Sequence, residues 1–179
     1  MPEDDERRSR FEAVYRETYE QILGYALRRC ESPEDAADVV AETFATAWRR
    51  IDRLPGGDEA RLWLYGTARK VLANHRRGQS RRPRLVALDL DLTQVRADHP
   101  QDDALVVRAV ADAFAELSTA DREILALSAW EGLDPGELAA VLRCSRNAAR
   151  IRLHRARRRM SAALAGAGVT VSHYSVEST

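Results

Sequence analysis

Apolar residues recur at helical spacing through the first 77 residues, and three helices are predicted there. The first covers about 10–29, where apolar positions return every three or four residues. The second starts at SPED (32–35), which combines an N-cap serine, a first-turn proline and acids that complement the helix dipole. The segment LPGGD (54–58) interrupts it, and a third helix follows over about 59–77.

The second half of the chain predicts four more helices. They cover about 105–117, Ser118 to about Trp130, Pro135 to Leu142, and a last helix from Arg146 onward. Ser118 followed by Asp121 resembles a capping box, with Asp in place of the usual Glu.

The stretch between the two helical groups has no sustained period and contains prolines, a glycine and scattered charges, including the segment VALDLDL. We therefore predict an all-α fold of two small helical domains joined by a flexible linker, the second domain containing a helix-turn-helix. The expected boundaries are 8–78 for the first domain, 79–104 for the linker, 105–165 for the second domain and 166–179 for a short tail.

The formal net charge of zero hides two basic blocks. Residues 69–84 carry seven basic side chains and no acidic one, and residues 138–179 carry eight arginines against one glutamate. The second block lies on the helix that follows a short helix (135–142) and a tight connection (143–145), the order of a helix-turn-helix. An uncompensated positive helix is suited to duplex DNA, whereas a merely solvated basic helix is the alternative interpretation.

Several classes of protein are not expected. There is no apolar run near 18 residues, so no membrane insertion is expected, and the acidic start MPEDDERRSR does not resemble a signal peptide. Cys30 and Cys144 lack metal-ligand spacing and are expected to be small buried residues of a cytoplasmic protein. We find no catalytic constellation, so the protein is not expected to be an enzyme, and no cofactor or metal is expected.

Three segments, in this order, resemble the bacterial sigma factors of the extracytoplasmic-function (ECF) group of the sigma-70 family. SPEDAADVVAETFATAWRRI is similar to the polymerase-binding helix of region 2, and WLYGTARKVLANHRR to its −10-reading helix. LSTADREILALSAWEGLDPGELAAVLRCSRNAARIRLHRARRRM is similar to the −35-reading helix-turn-helix of region 4. The chain departs from residues common in the family at Ala41, Lys70, Asn74, 147–149 and Ile151. The resemblance implies a dissociable sigma factor that binds core RNA polymerase and directs promoter-specific initiation.

A helical projection divides the last helix into two faces. Ala149, Leu153, Ala156 and Met160 fall together and are predicted to be buried. The expected −35 DNA-binding residues lie elsewhere on the helix: Arg146, Asn147, Arg150, Ile151, His154, Arg155 and Arg158. The resemblance assigns base reading to four of these, Arg150, Ile151, His154 and Arg155. The phosphate contacts are expected from Arg146, Arg152, Arg157 and Arg159.

The resemblance also implies where the −10 strand and the polymerase bind. The connection from Arg53 to Ala60 would capture a base extruded from the melted −10 element, and the strand would follow the third helix. The expected −10 residues are Arg53, Asp58, Trp63, Arg69, Lys70, Asn74 and Arg77, with Arg76 beside them. The expected polymerase-binding residues are Asp35, Asp38, Val39 and Glu42. Phe44 and Trp48 are instead predicted to be core residues.

The implied partners are core RNA polymerase, promoter DNA and an anti-sigma factor that covers both binding faces. Two other hypotheses remain at this point. One is a conventional helix-turn-helix repressor or activator, which would bind duplex sites alone as a dimer. The other is a helical adaptor without a nucleic-acid role.

Overall fold

The structure, a computed structural model, describes residues 2–79 and 102–166 of the chain. Those residues form seven α-helices and one 3₁₀ turn, with no strand among them. The elements are α1 (Pro2–Leu27), α2 (Pro33–Arg49), a 3₁₀ turn (Ile51–Arg53), α3 (Asp58–Gln79), α4 (Asp102–Glu116), α5 (Thr119–Ala129), α6 (Pro135–Leu142) and α7 (Arg146–Gly166). The prediction of an all-α chain with three helices followed by four is confirmed. Most of the predicted linker, including VALDLDL, and the tail from 167 onward lie outside the described residues.

The start of α2 follows the capping signal in the sequence. Ser32 has extended backbone angles, and its Oγ accepts a hydrogen bond from the Asp35 backbone N at 3.0 Å. Pro33 occupies the first turn, where its missing N–H leaves no helical bond unmade. Helix α1, in contrast, starts at Pro2, about eight residues before its predicted start.

The start of α5 corrects the predicted capping box. Ser118 Oγ does accept from the Asp121 backbone N at 3.1 Å, as an N-cap should. The Asp121 carboxylate, however, accepts from Ser118 Oγ at 2.8 Å and from Arg159. The complete reciprocal capping box lies at the start of α6, between Asp134 and Glu137.

Helices α1, α2 and α3 pack into an N-terminal unit around fully buried residues such as Ile22, Val39 and Leu64. Phe44 is buried, as predicted. The prediction for Trp48 is wrong, because 42% of this residue is exposed. Trp48 lies one turn beyond Phe44, near the end of α2, where its ring packs edge-on against Phe11 and lies beneath the Arg7 guanidinium.

Helices α4 to α7 form a C-terminal unit, in which α7 packs against α4, α5 and α6. The face predicted to be buried is buried at Ala149, Leu153 and Ala156, and Met160 is half-buried. This confirms the predicted buried face of α7.

The two units are packed against each other. Helix α3 lies along α6, and buried residues of both units belong to one continuous apolar cluster. The backbones approach closely at Gly66, where a Cβ atom would lie 3.6 Å from the Val141 carbonyl oxygen. The arrangement of the C-terminal unit relative to the N-terminal unit is therefore defined by direct contact between helices.

Candidate nucleic-acid interface

The turn between α6 and α7 has the geometry of a helix-turn-helix. Arg143 adopts the left-handed conformation (φ 54°, ψ 53°), which lets the Cys144 N–H bond back to the Ala139 carbonyl at 3.0 Å. Ser145 then begins α7, because its Oγ accepts from the Ala148 backbone N at 3.1 Å. These bonds set the angle at which α7 leaves the turn.

The first helix of this motif is held by the Asp134–Glu137 capping box. Asp134 accepts from the backbone N–H groups of Glu137 and Gly136, and these bonds lower the pKa of the Asp134 carboxyl below its usual range. Glu137 in turn accepts from the Asp134 backbone N at 2.9 Å. The predicted start of this helix at Pro135 is confirmed. The reciprocal bond was not predicted, although the D-x-x-E spacing is visible in the sequence.

The outward face of α7 is a basic surface. All seven expected −35 residues are exposed: Arg146, Asn147, Arg150, Ile151, His154, Arg155 and Arg158. Arg150 donates to the Asn147 side-chain oxygen at 3.1 Å. Ile151 stands out because 41% of this apolar residue is exposed among charged neighbours. The helix contains no acidic residue to neutralise this face.

Two arginines of α7 contact side chains of α5 and are therefore less free to bind DNA. Arg159 is bonded to Asp121 at the start of α5, with a side chain that is still 57% exposed. Arg157 approaches Ser128 at 3.4 Å. Arg159 therefore has a structural partner that its expected role as a phosphate ligand did not include, because the two residues are 38 positions apart.

The connection before α3 is exposed at its tip and anchored at its base. Arg53 and Asp58 are exposed, and Gly57 has a positive φ of 58° that favours glycine. Leu54 is buried, and its carbonyl accepts from Arg10 of α1. The two polar candidates of this connection thus lie at the surface on a loop that is fixed to α1.

The other −10 candidates lie along α3. Arg69, Lys70, Asn74 and Arg77 are exposed, whereas Trp63 is half-buried. Arg77 donates to the Asn74 side-chain oxygen at 2.7 Å, which orients the amide. Arg76 instead donates to the Arg29 carbonyl at 3.1 Å.

A groove of about 1140 Å³ runs between α2, α3 and α6. Its lining brings candidates for two roles together: Asp38, Val39 and Glu42 from α2, and Trp63, Lys70 and Asn74 from α3. Arg53, Asp58, Arg69 and Arg77 do not line it. Ala140 and Arg143 of the helix-turn-helix complete its wall, a contribution with no signal in the sequence because it depends on how the two units pack.

Several cationic side chains lie near Lys70 in the groove. The pKa of Lys70 is lowered from its usual value, first by desolvation and then by Arg143, Arg50 and Arg69. Arg143 belongs to the turn of the C-terminal unit, so like charges of the two units face each other here.

The four expected polymerase-binding residues differ in their exposure. Asp38 and Glu42 are exposed, whereas Val39 and Asp35 are not. Val39 is fully buried, although it belongs to the lining of the groove, and its role in polymerase binding stays a prediction. Asp35 is half-buried and lies 3.5 Å from His75 of α3. Glu42 is paired with Arg49 at 2.6 Å on the surface of α2.

The described residues contain no group of three or more His, Cys, Asp or Glu side chains that could hold a metal ion. Within the same residues, no helix is long and apolar enough to cross a membrane. Cys30 and Cys144 are half-buried and unpaired. Burial, followed by the nearby Asp35, raises the pKa of the Cys30 thiol to about 11, so this thiol is protonated at neutral pH.

Two family models match the chain, each on one of the two units. Sigma-70 region 2 matches residues 14–82, and sigma-70 region 4 matches residues 108–160. The matched segments contain the groove helices α2 and α3 and the helix-turn-helix.

Individual sigma factors are similar over most of their length. The ECF RNA polymerase sigma factor SigL of Mycobacterium tuberculosis is 31% identical over 162 residues, covering 88% of this chain and 90% of SigL. RNA polymerase sigma factor YlaC of Bacillus subtilis is 28% identical over 154 residues, which cover 84% of this chain and 89% of YlaC.

Solved structures agree. CnrH in complex with the cytosolic domain of CnrY is 29% identical, with a TM-score of 0.57 over 87% of this chain and 88% of CnrH. RpoE of Bartonella quintana, solved with the anti-sigma factor NepR, is 22% identical with a TM-score of 0.55 over 90% of this chain and 96% of RpoE, which supports the fold alone.

These matches decide between the three hypotheses drawn from the sequence, because a repressor or an adaptor would not carry regions 2 and 4 in this order. Sigma factors are regulatory initiation factors that bind core RNA polymerase and promoter DNA. The chain therefore belongs to the ECF group of the sigma-70 family, and it directs promoter-specific initiation of transcription.

Proposed function

We propose that this sigma factor reads the −35 duplex with the outward face of α7. The observation that carries the proposal is the exposure of every expected contact residue on a helix without acidic residues. Arginine can bond bidentately to guanine O6 and N7, and the exposed Ile151 suits a thymine methyl group. Arg146, Arg152 and Arg157 are assigned to phosphates, where they position the helix without specifying a sequence.

The −10 strand is assigned to α3 and the connection before it. Arg53 and Asp58 would hold the edge of the captured base, and Asn74 would read a second base edge with its amide oriented by Arg77. Arg69 and Lys70 would follow the strand backbone. Trp63, which lines the groove, offers a partly exposed ring for stacking.

The polymerase is assigned to the exposed acidic face of α2, formed by Asp38 and Glu42. Asp35 would act at its edge, where it already contacts His75. Because Asp38 and Glu42 line the same groove as Lys70 and Asn74, the polymerase surface and the −10 surface would adjoin.

An anti-sigma factor is the inferred regulatory partner. CnrH was solved with the cytosolic domain of CnrY, and it resembles this chain over most of both lengths. A partner of this kind would bind while the sigma factor is free of polymerase.

Transcription in vitro with purified core polymerase tests the −35 assignment. Promoters are first selected from a genomic fragment pool, and the Arg150→Ala/Arg155→Ala variant is then compared with the original chain on each. We expect loss of initiation with unchanged affinity for core polymerase. Arg8→Ala/Arg16→Ala, on exposed positions of α1, is the matched control for the change of charge. Full activity of the α7 variant on the selected promoters would contradict the assignment.

A further inference from the structure

Three arginines of region 2 meet three glutamates of region 4 across the interface of the two units. The contacts are Arg28–Glu131 at 2.7 Å, Arg29–Glu131 at 3.1 Å, Arg29–Glu123 at 3.8 Å and Arg61–Glu137 at 2.6 Å. Tyr25 adds a hydrogen bond from its hydroxyl to Glu123 at 3.0 Å. All of the arginines lie in one region and all of the glutamates in the other, so every bond of this set depends on the packing of region 4 against region 2.

The centre of this set is buried. The side chains of Arg29 and Glu131 are only 4% and 2% exposed, and the Arg29 guanidinium lies 3.8 Å from the centre of the Tyr25 ring. Buried charges are tolerated because they are paired, and each would lose its partner if the regions shifted without separating. The closed arrangement is therefore held in one register.

Not every hydrogen-bond donor in this set has an acceptor, and this lowers the stability of the closed state. Nη2 of Arg29 and Nε of Arg28 are buried without a hydrogen-bond acceptor among the described residues. Buried donors without acceptors cost free energy that is recovered when water reaches them. Separation of the regions would hydrate these groups as well as break the ion pairs.

The closed state also shapes the groove. Ala140 and Arg143 of region 4 form part of the wall beside Asp38 and Glu42, the proposed polymerase surface, and beside Lys70 and Asn74. A partner that binds α2 and α3 must therefore share this space with the helix-turn-helix. In addition, −10 and −35 elements are separate sites along a duplex, and the proposed reading of both requires the two regions to move independently.

We propose that Arg28, Arg29 and Arg61, with Glu123, Glu131 and Glu137, form an interdomain latch that restrains polymerase binding by holding region 4 at the edge of the region 2 groove. This inference rests on the proposed polymerase surface. Binding of polymerase to the open form weakens the latch, and by reciprocity weakening of the latch strengthens polymerase binding.

Two different variants open the latch. Glu131→Gln removes the most buried carboxylate of the set and leaves Arg29 only the more distant Glu123 in the closed state. The change costs less in an open state, where water hydrates Arg29. Gly66→Leu acts without any change of charge. A Cβ atom at position 66 already lies 3.6 Å from the Val141 carbonyl oxygen, so we expect the further carbons of leucine to push α6 away from α3. Gly66→Ala is the matched control, because a Cβ atom at 3.6 Å from Val141 O is an ordinary contact.

Small-angle X-ray scattering of the full chain measures opening, and fluorescence anisotropy measures the dissociation constant for core RNA polymerase. We expect both opening variants to have a larger radius of gyration and to bind core polymerase about fivefold more tightly or better, with Gly66→Ala unchanged. Circular dichroism checks that helix content is retained, and if one variant fails to fold the other decides.

The latch proposal is overturned if the folded variants stay compact, or if they open and bind polymerase no better than the original chain. Failure of the polymerase assignment has a different signature. In that case Asp38→Ala/Glu42→Ala leaves the affinity for core polymerase unchanged, whatever the opening variants do.

Discussion

Arg159 Nη1 lies 2.8 and 2.9 Å from the two carboxylate oxygens of Asp121, so the second half of α7 is tied to the first turn of α5. Asp121 is largely buried and also has its backbone N–H bonded to Ser118, whereas Arg159 is more than half exposed. The pair holds one side of α7 while the opposite side faces outward. Arg159 therefore stabilises the packing of α7 on α5, although it belongs to a strongly basic helix.

Arg159→Ala should lower the free energy of unfolding by about 0.5–1 kcal/mol, since an ion pair with one exposed partner contributes little. If Arg159 mainly stabilises α7, the salt dependence of holoenzyme binding to a promoter should keep its slope. Arg158→Ala is the matched control on the exposed face, and it should leave stability unchanged. Urea unfolding and a salt titration of promoter binding measure the two effects. A slope reduced by about one for Arg159→Ala would instead assign this residue to a phosphate.

Ile151 and Leu153 allow stability and promoter reading to be separated on one helix. Leu153→Ala should cost about 2–5 kcal/mol because it leaves a cavity beneath α7. Ile151→Ala should change stability by no more than about 0.5 kcal/mol, because the side chain is exposed.

Promoter selection with Ile151→Ala holoenzyme should show a relaxed preference at one −35 position. Unchanged selection at every position would remove Ile151 from the set of base-reading residues. A large loss of stability would show instead that Ile151 is packed more tightly than its exposure indicates.

Arg143 carries a backbone conformation that favours glycine. Arg143→Gly should raise the free energy of unfolding by about 0.5–1 kcal/mol. Glycine removes the strain of the left-handed conformation, and this gain exceeds the cost of the greater chain entropy that glycine has in the unfolded state. Arg143→Ala is the control, because it removes the charge near Lys70 but keeps the strain. Equal gains from both variants in urea unfolding would trace the effect to charge and not to the backbone.

The Cys30 thiol should react slowly in the folded protein. Its pKa of about 11, against an ordinary value of 9.0, leaves about a hundredfold less thiolate at pH 8 than an unperturbed thiol has. A Cys144→Ser chain should therefore be alkylated by iodoacetamide about a hundredfold more slowly when native than in denaturant. Native and denatured rates within about threefold would contradict the shift.

The same shift has a consequence for stability. Because the folded pKa is the higher one, the unfolded chain loses its proton first as the pH rises. The stability contributed by the neutral thiol is present below about pH 9 and is lost between about pH 9 and 11. Cys30→Ala should remove this part of the alkaline loss of stability.

Much of the site followed from local patterns. The Ser32 cap and the outward face of α7 were predicted correctly, because both depend on spacing within a few residues. Trp48 was predicted to be a core residue, and this prediction was wrong. Its exposure depends on how far α1 covers the end of α2, and 42% of Trp48 remains exposed there.

The sequence by itself determined the helices, the helix-turn-helix and the basic composition of α7, since helical period, capping residues and charge act over one or two turns. Tertiary structure decided that region 4 packs on region 2, that Arg143 completes the groove and that Arg29 and Glu131 are buried together. Those two residues are 102 positions apart, and charged side chains of opposite sign are too common for sequence alone to pair them. Only the packing of α3 on α6 and the exclusion of water between the regions selects these partners.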